Sequence, residues 1–195
     1  MPSTYSGLKI QLMATGENAT TWGNVTNLNL GTALEEAIVG SADVTFASAN
    51  VTLTWTDTNE TQTARNMRLN LIGTTGGARN LIVPSTEKVY IVNNACADPI
   101  TVKNSTGTGI AVPAGKTMWV YNNGTNVVDV VTHITALTLG SPLPATSGGT
   151  GLIAPGTSGN VLTSDGSGWV STAPVTPPSG ITKGQALAFD IVFGF

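Results

Sequence analysis

The sequence predicts a mainly β fold: an antiparallel β-sandwich or barrel-like domain with one N-terminal helix, followed by an extended, trimer-forming, fibre-like C-terminal region. Three observations predict it. Eight or so short runs of alternating apolar and polar residues follow one another between positions 41 and 133. One stretch before them has apolar residues at helical spacing. After them Gly, Pro and Ser dominate, and apolar residues come in isolated pairs.

The first region, residues 1–40, is predicted to be an arm and a helix that packs on the β-domain. Helical spacing begins after an N-cap at Thr20 or Thr21 and ends at Ile38. A glycine within the pattern costs about 1 kcal/mol relative to alanine, so we expect a break over 28–31. The stripe predicted to pack on an adjacent sheet has apolar residues at three- and four-residue intervals: Trp22, Val25, Leu28, Leu30, Leu34, Ala37 and Ile38.

The second region, residues 41–133, is predicted to be the antiparallel β-domain. Its apolar and polar residues alternate in short runs, and the joints between the runs are rich in Gly, Asn and Pro. The run "YNNGTN" fits a hairpin turn at its Asn-Gly pair, and "GIAVPAGKT" is interpreted as a hairpin connection. The predicted strands lie in the stretches ADVTFASANVTLTWTD, NMRLNLIG, ARNLIVPS, KVYIVNNA, PITVKNST, GIAVPAG, TMWVYNNG and NVVDVVTH.

The third region, residues 134–195, is predicted to hold a fibre-like linker rich in Gly, Pro and Ser, then a hairpin and a C-terminal strand. The stretch "NVLTSDGSGWVS" is predicted to form the hairpin, with Asp165 and Gly166 opening its turn. One copy of so Gly-rich a segment cannot bury its own apolar pairs, but three copies wound about an axis can. Full burial contributes about 1.5–3 kcal/mol per side chain, which offsets part of the ordering entropy. The predicted trimer seam consists of Leu152, Ile153, Val161, Leu162, Trp169 and Val170.

The segment "ITKGQALAFDIVFGF", residues 181–195, alternates large apolar residues with smaller or polar ones. Alone, such a strand would be an exposed edge that aggregates. We therefore predict that it pairs with a sister copy or with another protein by strand addition. The predicted partner-docking residues are Leu187, Phe189, Ile191 and Phe193.

The composition argues against several classes of function. Charged residues make up 10% of the chain and the net charge is −3, so the sequence lacks the basic footprint that binds nucleic acid. No run of about 18 apolar residues is present, which argues against membrane insertion. Metal-ligand spacing is absent, and no cofactor is expected. "GIAVPAGKT" has five residues between its glycines, where a phosphate-binding loop needs four.

No catalytic residue is predicted, and the chain is expected to be non-enzymatic. His133 is the only histidine, and Asp129, four residues before it, lies in a strand-to-linker region without a fixed geometry for the pair. Cys96 is the only cysteine and is interpreted as a small turn residue, because it has no basic neighbour in sequence. The tryptophans, which could stack sugars, are all expected on a core face or on the trimer seam: Trp22, Trp55, Trp119 and Trp169.

Two sets of motifs resemble structural and tail-fibre-like proteins of tailed bacteriophages, particularly marine podovirus-like phages. The first set lies in the helix and β-domain: "TGE" at 15–17, "TWG" at 21–23, the Arg, Ile and Pro of "RNLIVP" at 79–84, and "VPAG" with "YNNG" within 112–124. The second set is "SGGTGLIAPGTSGNVLTSDGSGWVS" at 147–171, which resembles a linker module that recurs in phage tail fibres.

The resemblance implies a virion structural protein without catalytic activity, assembled in the cytoplasm of the bacterial host, and such fibres are generally homotrimers. Typical tail fibres are much longer, which favours a short tail-fibre-like or fibre-adaptor subunit attached to the virion. The alternative is a capsid decoration or cement protein, and a carbohydrate-binding receptor module is the third hypothesis. The implied partners are sister copies, other tail or capsid proteins, and a host-surface glycan.

Overall fold

A computed structural model of the chain describes residues 2–144, 147 and 149–174. The fold is mainly β with one N-terminal helical segment, and the chain divides into two units, Met1–His133 and Ile134–Phe195. The elements in chain order are β1 Thr4–Tyr5, β2 Gln11–Leu12, α1 Trp22–Leu28, a π-helix Asn29–Leu34, α2 Glu35–Val39, β3 Ser41–Ala47, β4 Val51–Thr52, a 3-10 turn Thr63–Arg65, β5 Arg68–Thr74, β6 Arg79–Ile82, β7 Lys88–Asn94, β8 Ile100–Lys103, β9 Gly109–Val112, β10 Thr117–Asn122, β11 Val127–Asp129, β12 Val161–Ser164 and β13 Trp169–Thr172.

Two sheets of the first unit enclose one hydrophobic core. The five-stranded sheet has the order β11-β10-β7-β5-β3, and the four-stranded sheet has the order β4-β6-β8-β9. Alternation decides which side chains enter the core: β7 buries every second residue and turns the residues between them outward. The core draws on both sheets and consists of Val44, Phe46, Leu69, Leu71, Leu81, Val83, Tyr90, Val92, Cys96, Ile100, Val102, Val112, Val120 and Val127.

The predicted antiparallel arrangement is wrong for much of the two sheets. Strands β3, β5 and β7 pair in parallel in one sheet, and β4, β6 and β8 pair in parallel in the other. The reason is the path of the chain, which crosses to the opposite sheet after each strand from β3 to β7 and so enters each sheet again in the same direction; only after β8 does it turn back within one sheet. Parallel and antiparallel strands share the same alternation of inward and outward residues, so the sequence pattern does not distinguish them.

Within the two sheets, antiparallel pairing is confined to the later strands, where β9 pairs with β8, and β10 pairs with both β7 and β11. The Asn-Gly turn predicted between β10 and β11 is present. Gly124 has a φ of +86°, and Asn123 Oδ1 accepts hydrogen bonds from the amides of Thr125 and Asn126. The interpretation of "GIAVPAGKT" as a hairpin connection is wrong, because β9 and β10 belong to different sheets and the turn crosses between them.

The helical segment that precedes the sheets is π-helical in its middle, over Asn29–Leu34. This π-helix overlaps the break expected over 28–31, and helical backbone continues on both sides of it. The side chain of Asn29 bonds outside the helix: its Nδ2 donates to the Gln11 carbonyl at 2.8 Å, and its Oδ1 accepts from the Gln11 amide at 3.0 Å. The two bonds fasten the helix to strand β2 of the N-terminal arm.

The predicted packing stripe of this helix is only partly buried. Of its residues, Ala37 is buried and Val25, Leu28 and Leu34 are half-buried, but Trp22, Leu30 and Ile38 are 61%, 57% and 58% exposed. A π-helical turn contains more residues than an α-helical turn. A stripe drawn at the α-helical period therefore leaves the buried face at Leu30, inside the π-helix, whereas Trp22 is exposed in the first turn of α1, before the π-helix.

A buried arginine joins three chain segments that lie outside the two sheets. Arg65 is fully buried, and its guanidinium pairs with the Glu36 carboxylate of α2 at 3.0 Å. The same guanidinium donates to the carbonyl oxygens of Leu8 at 2.9 Å, Thr58 at 2.8 Å and Glu60 at 2.9 Å. One side chain thus holds together the N-terminal arm, the helix and the loop that precedes β5.

Candidate functional site

The Gly-rich stretch of the second unit contains a two-stranded antiparallel hairpin made of β12 and β13. Side chains that lie opposite each other in such a pair point to the same face. From the register, Leu162 and Trp169 share one face of the hairpin, and Val161 and Val170 share the other. The hairpin therefore presents apolar side chains on both of its faces.

The residues predicted for the trimer seam are largely exposed in a single copy. The exposed fractions are 92% for Ile153, 44% for Val161, 48% for Leu162 and 43% for Trp169. Leu152 and Val170 are half-buried. An open groove of about 420 Å³ is lined mainly by residues 152–155 and 160–162. The structure thus brings four of the six residues to one groove and places the other two on the adjacent strand β13.

The wall of this groove is fixed by hydrogen bonds to β13. Asn160 Nδ2 donates to the Ser171 carbonyl at 3.3 Å and to Ser171 Oγ at 3.0 Å, and Ser171 Oγ donates to the Pro155 carbonyl at 2.5 Å. Gly156 has a φ of +85°, and a Cβ at this position would collide with the Ser171 side chain. The loop before β12 is therefore held in one position while the apolar side chains of the groove stay open to solvent.

The turn of the hairpin is organised by Asp165, as its sequence predicts. Asp165 Oδ1 accepts hydrogen bonds from the Ser167 amide at 2.9 Å, the Gly168 amide at 2.7 Å and Ser167 Oγ at 2.9 Å. Gly166 supplies the positive φ of the turn, +90°. The hydrogen bonds favour the ionised carboxylate and hold the pKa of Asp165 below its usual value, the Ser167 amide contributing most.

We expect the hairpin turn to loosen in acid. Because the pKa of Asp165 is lower in the folded turn than in the unfolded chain, the stabilisation is complete above the unfolded pKa of about 3.9 and is lost as the pH falls through the folded pKa. Amide shifts of Ser167 and Gly168, followed by NMR from pH 6 to pH 2, should titrate with a midpoint below about 3.9. The Asp165→Asn variant, which keeps an acceptor but does not titrate, should show flat profiles. A midpoint at or above the unfolded value would contradict this prediction.

The remaining sequence predictions concern the partner-docking strand, metal binding, membrane insertion and the single cysteine. The partner-docking residues Leu187, Phe189, Ile191 and Phe193 lie outside the described residues. Over residues 2–144, 147 and 149–174, no group of three or more His, Cys, Asp or Glu side chains is arranged to hold a metal ion, and no helix is long and apolar enough to cross a bilayer. Cys96 is buried in the core, where desolvation and the charge of Asp98 raise the pKa of its thiol.

The expected placement of the tryptophans on a core face is wrong for Trp22 and Trp119, which are 61% and 59% exposed. Trp119 lies on the outer face of β10, because Met118 and Val120 on either side of it pack in the core. Both faces of this strand carry large apolar residues, so alternation alone did not reveal which face points inward. Trp55 is half-buried.

Sequence reasoning also missed a row of polar side chains on the outer face of the five-stranded sheet. Asp43, Asn70, Asn93 and Thr117 occupy the same level on four strands, three of them parallel neighbours. The signal in the sequence is one polar residue at an outward position of each strand. Their alignment depends on the register between strands that are far apart in sequence, which no local pattern contains.

Comparisons of the chain with protein-family models, with curated proteins and with solved structures found no match. The hairpin, the outer sheet face and the motif resemblance are therefore the features of the chain that bear on its function.

Proposed function

We propose that the chain is a non-enzymatic structural protein of a tailed-bacteriophage virion, a short homotrimeric tail-fibre-like or fibre-adaptor subunit that attaches to the particle. The observation that carries the proposal is the exposure of the apolar side chains around the hairpin, led by Ile153 at 92%. Contiguous exposed apolar surface marks an interaction site in soluble proteins. The resemblance of residues 147–171 to a tail-fibre linker module supplies the virion context.

The two apolar faces of the hairpin favour three copies over two. Leu162 and Trp169 on one face need a neighbour, and Val161 and Val170 on the other face need a second one. A head-to-tail contact that joins one face to the other generates a closed ring when its rotation closes. Three copies form the smallest such ring that gives each hairpin a different neighbour on either side, and Gly-rich backbone permits the close approach of chains near the axis.

We expect the full chain to sediment at three times its monomer mass of 19.9 kDa. The double variant Ile153→Ser/Leu162→Ser should sediment as a monomer at micromolar concentration. Each side chain contributes about 1.5–3 kcal/mol when it is buried, and the double variant removes this contribution from all three copies of the trimer. Analytical ultracentrifugation over a concentration series measures both results.

The matched control is Ile38→Ser, which removes an isoleucine that is 58% exposed on the helix of the first unit. This variant should remain trimeric, because the proposal assigns no contact between copies to Ile38. A wild-type chain that sediments as a monomer, or a double variant that stays trimeric, would overturn the trimer.

The position on the particle is tested with phage that lack the protein. The proposal expects intact heads and tails without the fibre or without its adaptor. Particles that keep complete tails but lose head stability would instead identify a capsid decoration protein. A cryo-EM map of the complete particle would locate the chain directly.

A further inference from the structure

Four polar side chains form a hydrogen-bonded row across the outer face of the five-stranded sheet: Asp43, Asn70, Asn93 and Thr117. Asn70 Nδ2 donates to Asp43 Oδ1, Asn93 Nδ2 donates to Asn70 Oδ1, and Thr117 Oγ1 donates to Asn93 Oδ1. Each of these bonds is 2.7 Å long. Neighbouring strands lie about 4.8 Å apart, so this polar row extends about 14 Å across the sheet.

The polar row keeps unused hydrogen-bonding capacity. An Asn side chain has two N–H groups, and the row uses one from Asn70 and one from Asn93. Within the described chain, the second N–H of each amide and the second carboxylate oxygen of Asp43 have no protein partner, and the Thr117 hydroxyl accepts no bond. Donors and acceptors thus lie along one line. Their mutual hydrogen bonds hold them in place, which reduces the entropy lost when a ligand binds.

An exposed indole lies next to the polar row. Trp119 follows Thr117 by two residues on β10 and lies opposite Ile91 of β7, which lies opposite Arg68 of β5. Two residues along a strand span about 7 Å, so one ligand can reach both the indole and the row. The indole is 59% exposed, and Ile91 beside it is half-buried. The face therefore combines an aromatic platform with fixed polar groups.

The outer face of this sheet carries no net charge. Among the outward-facing residues of β3, β5, β7, β10 and β11, the charged ones are Asp43 and Arg68, of opposite sign. We propose that this face binds a neutral oligosaccharide, with Trp119 stacking against the C–H face of a sugar ring and the polar row bonding the sugar hydroxyl groups. A sugar hydroxyl both donates and accepts, which suits amide N–H groups that lie beside carboxylate and hydroxyl oxygens.

Other occupants fit this face less well. A dry contact with a second copy of the chain would leave the second N–H of each amide and the second carboxylate oxygen of Asp43 without partners, at a cost for each group. A nucleic acid would meet Asp43 and no surplus of positive charge. The oligosaccharide site adds a ligand to the proposed virion protein. It does not depend on the trimer, because all of its residues belong to the first unit.

The test is a binding titration of the full chain with neutral linear hexasaccharides of glucose, galactose, mannose and N-acetylglucosamine. Saturation-transfer NMR identifies binding, and calorimetry measures the Kd. We expect at least one of these probes to bind at millimolar concentration. Trp119→Ala should weaken that binding by about tenfold or more. Asn93→Leu should weaken it roughly fivefold, the usual effect of losing one hydrogen bond.

The matched control is Trp22→Ala, which removes a tryptophan of nearly equal exposure, 61% against 59% for Trp119. It should leave the Kd unchanged. The inference is overturned if no hexasaccharide of the panel binds, or if Trp22→Ala weakens binding as much as Trp119→Ala does. It is also overturned if Trp119→Ala changes the sedimenting mass, which would assign the face to a contact between copies. A monomeric wild-type chain that still binds would overturn only the trimer.

Discussion

Replacing Arg65 with alanine is expected to lower the free energy of unfolding of the first unit by about 3–5 kcal/mol, as for other buried ion pairs that lose one partner. The side chain of Glu36 is only 12% exposed, and its carboxylate would be left without its cation. The carbonyl oxygens of Leu8, Thr58 and Glu60 would lose their donor as well. Urea unfolding followed by tryptophan fluorescence measures the loss as a lower midpoint.

The matched control is Lys9→Ala, which breaks a second ion pair of the same unit. Lys9 Nζ lies 2.7 Å from Asp57 Oδ1, but the two side chains are 27% and 66% exposed. Exposed pairs of this kind contribute about 0–1 kcal/mol, so this variant should unfold almost like the wild type. Equal losses in the two variants would refute the role assigned to Arg65.

Replacing Asn94 with alanine is expected to destabilise the first unit by about 3 kcal/mol, because three backbone groups lose their partner. Asn94 is fully buried at the end of β7. Its Nδ2 donates to the carbonyls of Asp98 and Val112, both at 2.9 Å, and its Oδ1 accepts from the Cys96 amide at 3.0 Å. Val112 belongs to β9 of the other sheet, so this side chain joins the two sheets directly.

The neighbouring residue provides the control for this prediction. Asn93→Ala changes the same residue type one position earlier, on the outer face of β7, where water can replace the lost hydrogen bonds. Such surface substitutions usually change stability by about 0.5 kcal/mol or less. Both variants can be compared by thermal unfolding. If Asn93→Ala costs as much as Asn94→Ala, burial is not the reason for the effect.

The strands were predictable because their signal is local. Alternation with a period of two marks β5 to β11 along the chain, and Gly, Asn and Pro mark the joints. The pairing of the strands was not predictable in the same way. The parallel neighbours β3 and β5 are separated by β4, which belongs to the other sheet, and by the long loop that contains Arg65. No local pattern shows that the chain changes sheets in between.

The two candidate sites differ in how far the sequence reveals them. The hairpin was predictable from the turn residues Asp165 and Gly166, because the residues that determine a turn are consecutive in the sequence. The sheet face around Trp119 was missed for the opposite reason. Its polar row is assembled from residues of four strands. On β10, Met118 and Trp119 are adjacent large apolar residues, so the alternation pattern is compatible with either of them facing the core.

The alternation of the chain between the two sheets from β3 to β8 also has a consequence for how the molecule can vary in length. Arg68 lies opposite Ile91 and Arg79 lies opposite Ile100, so the later circuits through both sheets take 23 and 21 residues. An additional circuit inserted between β6 and β7 would add one parallel strand to each sheet and leave the closing strands β9 to β11 unchanged. The domain would become wider by about 4.8 Å per circuit, with the distance between its sheets preserved. The architecture is therefore extensible in units of one circuit, as a spiral is, with one strand added to each sheet at a time.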